Sequence, residues 1–181
     1  FRSSAASDVY KRQKIIKPTI KGLKDLGTNF IGFLYAGLMI INDEPFLIEY
    51  NVRMGDPECQ TILPKLESDF GEIIEACVNE KLHLLNLDWS NDKSLCIVLC
   101  SKGYPEKYYN NIEIKNLKNL PLNKDEFIFH AGTQEKNSKI YSNGGRVLNI
   151  VAKGNSFKEI RRKIIKTINK INWQGGFFWK D

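Results

Sequence analysis

The pattern of apolar and polar positions in the first half of the chain predicts a helix followed by a β-hairpin. Residues 18–26 have the composition of a short helix, and Gly27 just beyond them is a typical helix stop. The run 29–41 is strand-like and ends at the turn signal Asn42-Asp43, and a second strand is predicted at 46–51. Glycines inside the first strand indicate close approach of a ligand or of another backbone.

A second helix is predicted at 69–80, where Asp69 and Glu72 form a pair that resembles a capping box. Four apolar residues in this segment recur at helical spacing: Phe70, Ile73, Ile74 and Cys77. The polar segment 86–93 then interrupts the pattern, and we interpret it as a domain boundary.

The second half of the chain, 94–181, predicts a mixed α+β domain. Its strand candidates are 94–101, 126–130, 139–141 and 146–152. Asn143-Gly144-Gly145 predicts a turn between the last two. A capping box formed by Ser156 and Glu159 begins a final helix, whose apolar face consists of Ile160, Ile164, Ile168 and Ile171. The basic residues of this helix are interpreted as its solvated surface.

Composition favours a folded, cytoplasmic protein. The chain has 181 residues and is 42% hydrophobic, which is enough for a packed core and too much for a disordered chain. No apolar run reaches the roughly 18 residues of a membrane span, and no secretory signal is recognisable. The four cysteines contain no CxxC pair, so their spacing fits buried reduced thiols better than a zinc site.

The net charge of +6 narrows the possible partners only slightly. Lysines are spread along the chain and mixed with isoleucine and asparagine, so we expect no nucleic acid and no membrane partner. A positive field also suits an enzyme that handles anionic small-molecule substrates. A non-catalytic basic binding module stays an alternative, because the final helix is strongly basic.

Candidate chemistry is concentrated in the segment 48–58. Residues two apart on a strand face the same side, so Glu49 and Asn51 offer a carboxylate and an amide oxygen together, which are ligands that Mg²⁺ prefers. Arg53 follows the strand and could clamp a phosphate. Asp56 and Glu58 add acceptors suited to an amine. An exposed strand face followed by a simple turn would produce the same spacing.

Several motifs in order resemble the phosphoribosylamine–glycine ligases, a family of the ATP-grasp superfamily. The matching segments are 32–40, 48–60, Gly103-Tyr104-Pro105, 129–133, 142–148 and 177–181. The resemblance covers 14–181 and implies an α/β (α+β) fold in two parts. Residues 14–90 would be the C-terminal part of the ATP-grasp domain, and 91–181 the ligase C-terminal domain. Residues 1–13 contain none of these motifs and are expected to be non-native or disordered.

The resemblance also implies a reaction and roles for the residues. ATP would phosphorylate glycine to glycyl phosphate, and the amine of 5-phosphoribosylamine would attack it to give glycinamide ribonucleotide, ADP and phosphate in purine biosynthesis. Catalysis would rest on Arg53 and Asp56. The implied contacts are Glu49 and Asn51 with Mg²⁺ or Mn²⁺, Leu38 or Met39 with adenine, Arg53 with phosphate, and Asp56 and Glu58 with glycine or the sugar substrate. His130 is expected to be structural or to orient a substrate.

Two departures from the superfamily pattern affect these expectations. Many ATP-grasp enzymes have a further metal-binding carboxylate at the position of Gly37. A glycine there, without a side chain, agrees with the phosphoribosylamine–glycine ligases and argues against biotin carboxylase. The family's N-terminal substrate domain, glycine-rich lid and ATP-clasping lysines would precede Lys14. We therefore expect the missing N-terminal half as a partner, and no turnover by the isolated chain. Another ATP-grasp carboxylate–amine ligase is the remaining alternative.

Overall fold

The structure is a computed structural model that describes residues 12–42 and 44–178. The predictions made for 1–11, for Asp43 in the hairpin turn and for 179–181 lie outside the described residues. The chain divides into two compact units. Of the described residues, one unit contains those up to 55 together with 69–86, and the other contains 56–68 together with those from 87 to 178.

The described residues form a mixture of helices and strands, so the predicted α+β class is confirmed. The helices are α1 (Lys17–Asp25), α2 (Glu58–Ile62), α3 (Phe70–Val78) and α4 (Phe157–Ile168). The strands are β1 (Tyr35–Ile41), β2 (Glu44–Asn51), β3 (Lys93–Ser101), β4 (Glu126–His130), β5 (Thr133–Lys136), β6 (Lys139–Ser142), β7 (Arg146–Gly154) and β8 (Gly176–Phe177). None of the helices in the described ranges is long and apolar enough to cross a membrane.

In the first unit, both predicted helices are confirmed. Helix α1 ends where Gly27 adopts a φ of 81° and its N–H donates to the Lys24 carbonyl at 2.9 Å. Because only glycine enters that region freely, Gly27 is the predicted stop. Helix α3 begins at the cap Asp69, whose side chain accepts from the Glu72 N–H at 3.0 Å. It ends two residues earlier than the predicted 80, and Glu80 has a φ of 58°.

The predicted hairpin is present, but its first strand is shorter than predicted. Strand β1 begins at Tyr35, which pairs with Asn51, the last residue of β2. Residues 29–34 therefore have no partner strand among the residues that the structure describes, and the φ of 143° at Gly32 is incompatible with regular extended pairing. The register shifts between Gly37 and Leu38, which leaves Ile48 as an extra residue on β2.

The second unit is built on a four-stranded antiparallel sheet in the order β4-β7-β3-β8, and β5 and β6 form a separate ribbon. The four strands predicted in this half are confirmed with small differences at their ends. Strand β5 was missed by the sequence analysis. Its residues Thr133–Lys136 are polar and largely exposed, so they carry no alternation of apolar and polar positions.

The core of this unit lies between the sheet and α4. Strand β7 is one of the two inner strands, and its residues from Val147 to Ala152 are all at most 1% exposed. The helix contributes the predicted apolar face through Ile160, Ile164 and Ile168, whereas Ile171 lies beyond the helix end. The predicted cap is confirmed, because the Glu159 N–H donates to Ser156 Oγ at 3.3 Å.

The segment 56–68 belongs to the second unit rather than to the first. Its helix α2 packs against β3 and β7. The compact units therefore differ from a single division at residue 90, because this short segment joins the sheet that follows it in sequence. The domain limits of 14–90 and 91–181 remain a prediction about the family's domains.

Candidate functional site

The structure brings the two predicted metal ligands together at the end of β2. Asn51 Nδ2 donates to Glu49 Oε1 at 2.8 Å, so the two side chains share one face of the hairpin. Gly37 is the cross-strand partner of Glu49. A Cβ added at Gly37 would lie 3.1 Å from Glu49 Cγ, closer than ordinary van der Waals contact. The missing side chain therefore leaves room for the Glu49 carboxylate.

The strand that carries this pair is anchored through Tyr50, which lies between the two ligands in sequence. The Tyr50 hydroxyl lies 2.6 Å from Thr19 Oγ1 on α1 and 3.3 Å from the Ile15 carbonyl. Because neighbouring residues on a strand face opposite sides, these contacts fix β2 from behind without using the face of Glu49. The sequence analysis assigned Tyr50 to the opposite face but missed this anchoring role.

The two adenine candidates differ in exposure. Met39 is 51% exposed and pairs with the half-exposed Phe46, whereas Leu38 is less exposed and pairs with Leu47. Arg53 lies just beyond the end of β2, where its Nη1 donates to the Met54 carbonyl at 2.9 Å. Its guanidinium is at the surface and within reach of solvent.

Asp56 is held firmly by two side chains of the second unit. Its Oδ2 lies 3.1 Å from Arg146 Nη2, and its Oδ1 accepts from Gln60 Nε2 at 2.8 Å. Arg146 Nη1 also donates to the Asp56 backbone carbonyl at 2.8 Å. Glu58, the other predicted substrate contact, is half-buried in the first turn of α2. Glu49, Asn51 and Arg53 belong to the first unit, and Asp56 and Glu58 to the second.

Arg146 was not predicted as a candidate site residue. The available signal was its position directly after the turn Asn143-Gly144-Gly145 and inside the motif 142–148, but it stands ninety residues from Asp56. Nothing in the local pattern connects the two residues. Only the packing of α2 beside β7 brings them together.

Two of the motif segments, 129–133 and 142–148, meet the end of β3 at the point where β7 begins. The buried Ser101 donates through Oγ to the Gly144 carbonyl at 2.7 Å and through its N–H to the Gly145 carbonyl at 2.8 Å. The Gly132 N–H donates to the Arg146 carbonyl at 2.9 Å. A Cβ on Gly132 would come within 2.8 Å of that same carbonyl oxygen, so only glycine permits the approach.

His130 and the cysteines offer little chemistry. His130 Nδ1 lies 2.9 Å from Thr133 Oγ1, and the ring is exposed at the end of β4. Burial raises the pKa of the Cys96 thiol to about 12, and the negative charges of Asp56 and Glu58 add to this effect. Burial likewise raises the pKa of Cys59 and Cys100. These thiols are therefore protonated at neutral pH and are poor nucleophiles or metal ligands.

The donor set fits a hard divalent cation better than zinc. Within the described ranges, no group of three or more His, Cys, Asp or Glu side chains could hold a metal ion by itself, as a structural zinc site of protein ligands would require. Glu49 and Asn51 supply oxygen donors only, and Mg²⁺ commonly binds through one or two carboxylates while substrate phosphates and waters complete its shell. The pair can therefore hold Mg²⁺ or Mn²⁺ once a nucleotide supplies the remaining ligands.

Comparisons with known proteins agree with the motifs. The model of the phosphoribosylglycinamide synthetase ATP-grasp (A) domain matches residues 3–59, and that of the phosphoribosylglycinamide synthetase C domain matches 94–181. The chain is 46% identical over 169 residues to a phosphoribosylamine–glycine ligase of Caldanaerobacter subterraneus, with 93% of this chain and 40% of the relative covered. It is 42% identical over 173 residues to the chloroplastic phosphoribosylamine–glycine ligase of Arabidopsis thaliana, covering 93% and 32%.

A solved structure extends the match to three dimensions. The crystal structure of a phosphoribosylamine–glycine ligase from Thermotoga maritima superposes with a TM-score of 0.82 and 29% sequence identity, covering 98% of this chain and 43% of that one. The chain thus spans about two fifths of the length of several curated relatives that it matches. From these matches and the motifs that carry them, the chain belongs to the phosphoribosylamine–glycine ligase family of ATP-grasp enzymes.

Proposed function

We propose that this chain is the C-terminal part of a cytoplasmic, ATP-dependent ligase that joins glycine to 5-phosphoribosylamine. The observation that carries the proposal is the Glu49–Asn51 pair opposite Gly37, found in a chain of this family. Glu49 and Asn51 would hold a hard divalent cation through two oxygen donors, and that cation would supply positive charge to the nucleotide phosphates. The names of the relatives supply the two substrates that are joined.

The reaction has two steps, and ATP, glycine and 5-phosphoribosylamine are its only reactants. A glycine carboxylate oxygen attacks the γ-phosphorus of ATP, the bond to the β-phosphate oxygen breaks, and ADP leaves. The amine nitrogen of 5-phosphoribosylamine then attacks the acyl carbon of glycyl phosphate, and phosphate leaves with the electrons of the broken C–O bond. The nitrogen loses one proton. The protein's part is to position the groups and to neutralise charge.

The side chains divide this work between them. Glu49 and Asn51 hold Mg²⁺ or Mn²⁺, which supplies positive charge beside the phosphates when bound. Met39, being the more exposed of the two apolar candidates, covers the adenine together with Leu38. Arg53 contacts a phosphate from the end of β2. One of its N–H groups donates to the Met54 carbonyl, and the other guanidinium N–H groups are the donors assigned to the phosphate. Asp56, with Glu58 nearby in sequence, accepts from the amine of glycine or of the sugar substrate.

The proposal is tested with the complete protein that contains this chain. Release of ADP is measured with 5-phosphoribosylamine present and each amino acid supplied in turn. We expect glycine alone to stimulate release. Stimulation by a different amino acid would make the protein another ATP-grasp ligase, and no stimulation, combined with salt-sensitive binding to nucleic acid, would favour a basic binding module.

A substitution then tests the role of the metal pair. Glu49→Gln keeps the shape of the side chain and its bond to Asn51 but removes the charge, so kcat should fall by about a hundredfold or more, as for loss of a charged group that stabilises the transition state. Glu44→Gln on the same strand is the matched control, because Glu44 is exposed and lies at the other end of β2. Equal activity of the two variants would remove Glu49 from the proposed site.

A further inference from the structure

Arg146 has no role in the proposed function so far, but it makes two polar contacts with Asp56, which has one. Arg146 reaches both the carboxylate and the backbone carbonyl of Asp56, at 3.1 Å and 2.8 Å. A planar guanidinium that grips two acceptors of one residue fixes its direction as well as its distance. We infer that Arg146 is a positioning residue, which holds the Asp56 carboxylate in the orientation that receives the amine of the substrate. This inference rests on the proposed function of Asp56.

The base of the Arg146 side chain is itself held by the surrounding loops. Its backbone carbonyl accepts from Gly132, and the carbonyls of the two preceding glycines accept from the fully buried Ser101. The ring of Tyr104 lies against Gly145, where an added Cβ would come within 2.1 Å of it. Arg146 therefore starts from a fixed backbone, and its guanidinium does not have to be ordered when a substrate binds.

Asp56 is also held from its other side. Gln60 lies one helical turn further along and donates to the carboxylate oxygen that Arg146 does not contact. Each carboxylate oxygen has two acceptor sites, so the two neighbours leave acceptor capacity on both oxygens. The Asp56 side chain is 38% exposed, so an amine can reach that capacity from solvent. Asp56 is therefore held in one orientation by Arg146 and Gln60 and can still accept a hydrogen bond from a substrate.

The inference predicts that Arg146 acts only through Asp56. In the complete ligase, Arg146→Ala should raise the KM for the amine-bearing substrate by about tenfold, because a partly exposed charge-assisted contact is worth roughly that factor in affinity. The KM for ATP and the metal requirement should stay unchanged. Arg146→Lys should recover part of the loss, since it keeps the charge and one donor but not the bidentate grip.

A double variant separates positioning from direct binding. If Arg146 works through Asp56, then Arg146→Ala combined with Asp56→Asn should be no worse than Asp56→Asn alone in kcat/KM. If instead the two losses multiply, Arg146 contacts a substrate by itself and the inference is overturned. The same holds if Arg146→Ala leaves every KM unchanged. Arg162→Ala on the exposed surface of α4 is the matched control and should leave activity unaltered.

Failure of this inference is distinguishable from failure of the proposed function. Glycine-dependent ADP release by the unsubstituted enzyme tests the function without any variant. If that release is observed and Asp56→Asn retains full activity, the role of Asp56 and the inference for Arg146 both fail while the ligase activity stands. Circular dichroism of each variant at the assay temperature checks that it is folded, so a lost fold is not read as lost positioning.

Discussion

At the scale of single residues, Glu126 shows how a buried charge can be built into the fold. It is 7% exposed at the start of β4, and its carboxylate accepts from the Asn123 N–H at 3.0 Å, from the Asn123 side-chain amide and from Thr167 Oγ1 at 2.9 Å. Thr167 lies near the end of α4. The carboxylate therefore joins the sheet to the helix that covers it, and all of its partners are neutral donors that favour its charged form.

These contacts predict a dependence of stability on pH. Burial alone would raise the pKa of Glu126, but the hydrogen bonds from Asn123 and Thr167, with the charge of Lys163, lower it below its ordinary value. A carboxylate whose folded-state pKa is lowered stabilises the fold above its unfolded-state pKa. That stabilisation is lost as the pH falls through the folded-state value. Glu126→Gln should therefore lose less stability between pH 6 and pH 3 than the unsubstituted chain.

Thermal melts of the 181-residue chain at several pH values measure this difference. At neutral pH, Glu126→Gln should be the less stable form by about 1–3 kcal/mol, because it replaces a buried charged acceptor of three hydrogen bonds with a weaker one. Glu106→Gln serves as the control, since Glu106 is exposed in a loop. If the Glu126→Gln variant and the unsubstituted chain lose the same stability between pH 6 and pH 3, Glu126 does not titrate as expected.

At the scale of elements, the hairpin of β1 and β2 is shaped around one glycine. Gly37 faces Glu49 across the pair, next to the point where Ile48 is inserted into β2. The insertion bends and twists the strand locally, and such irregularities commonly aim a side chain near a functional site. Behind the hairpin, Tyr50 is fixed to Thr19, so the strand cannot readily shift to make space.

We expect Gly37→Ala to disturb the metal pair while leaving the fold intact. The added Cβ would lie 3.1 Å from Glu49 Cγ, so the Glu49 side chain must move by a few tenths of an ångström. In the complete enzyme, this should raise the KM for the metal–ATP complex several-fold. Gly22→Ala is the matched control, because nothing lies within 4 Å of its added Cβ and alanine favours the helix by about 0.5–1 kcal/mol. An unchanged KM in Gly37→Ala would mean that Glu49 tolerates the crowding.

At the scale of the whole molecule, the chain corresponds to about two fifths of several relatives' length. We expect the 181-residue chain, expressed alone, to show no glycine-dependent ADP release, because it spans only part of the length of the ligases that it matches. A coupled assay for ADP with 5-phosphoribosylamine and glycine measures this, and the complete enzyme is the positive control. Turnover by the chain alone would contradict the expectation.

Features that depend on neighbours along the chain were predictable from the order of the residues alone. The caps Asp69 and Ser156, the stop at Gly27 and the apolar row on α4 were all predictable, because capping and helical periodicity involve residues within four positions of each other. The Glu49–Asn51 pair was predictable for the same reason, since side chains two apart on a strand share a face. The family was identifiable from several motifs in a fixed order.

Only the tertiary structure decided which distant residues meet. Strand β1 was predicted too long because its length depends on where β2 ends, and β5 was missed because a polar ribbon carries no apolar alternation. The assignment of 56–68 to the second unit, and with it the contact between Asp56 and Arg146 across ninety residues, follows from α2 packing on β3 and β7. Such pairings are set by the packing of whole elements, and a local pattern records only the propensity of each element to form.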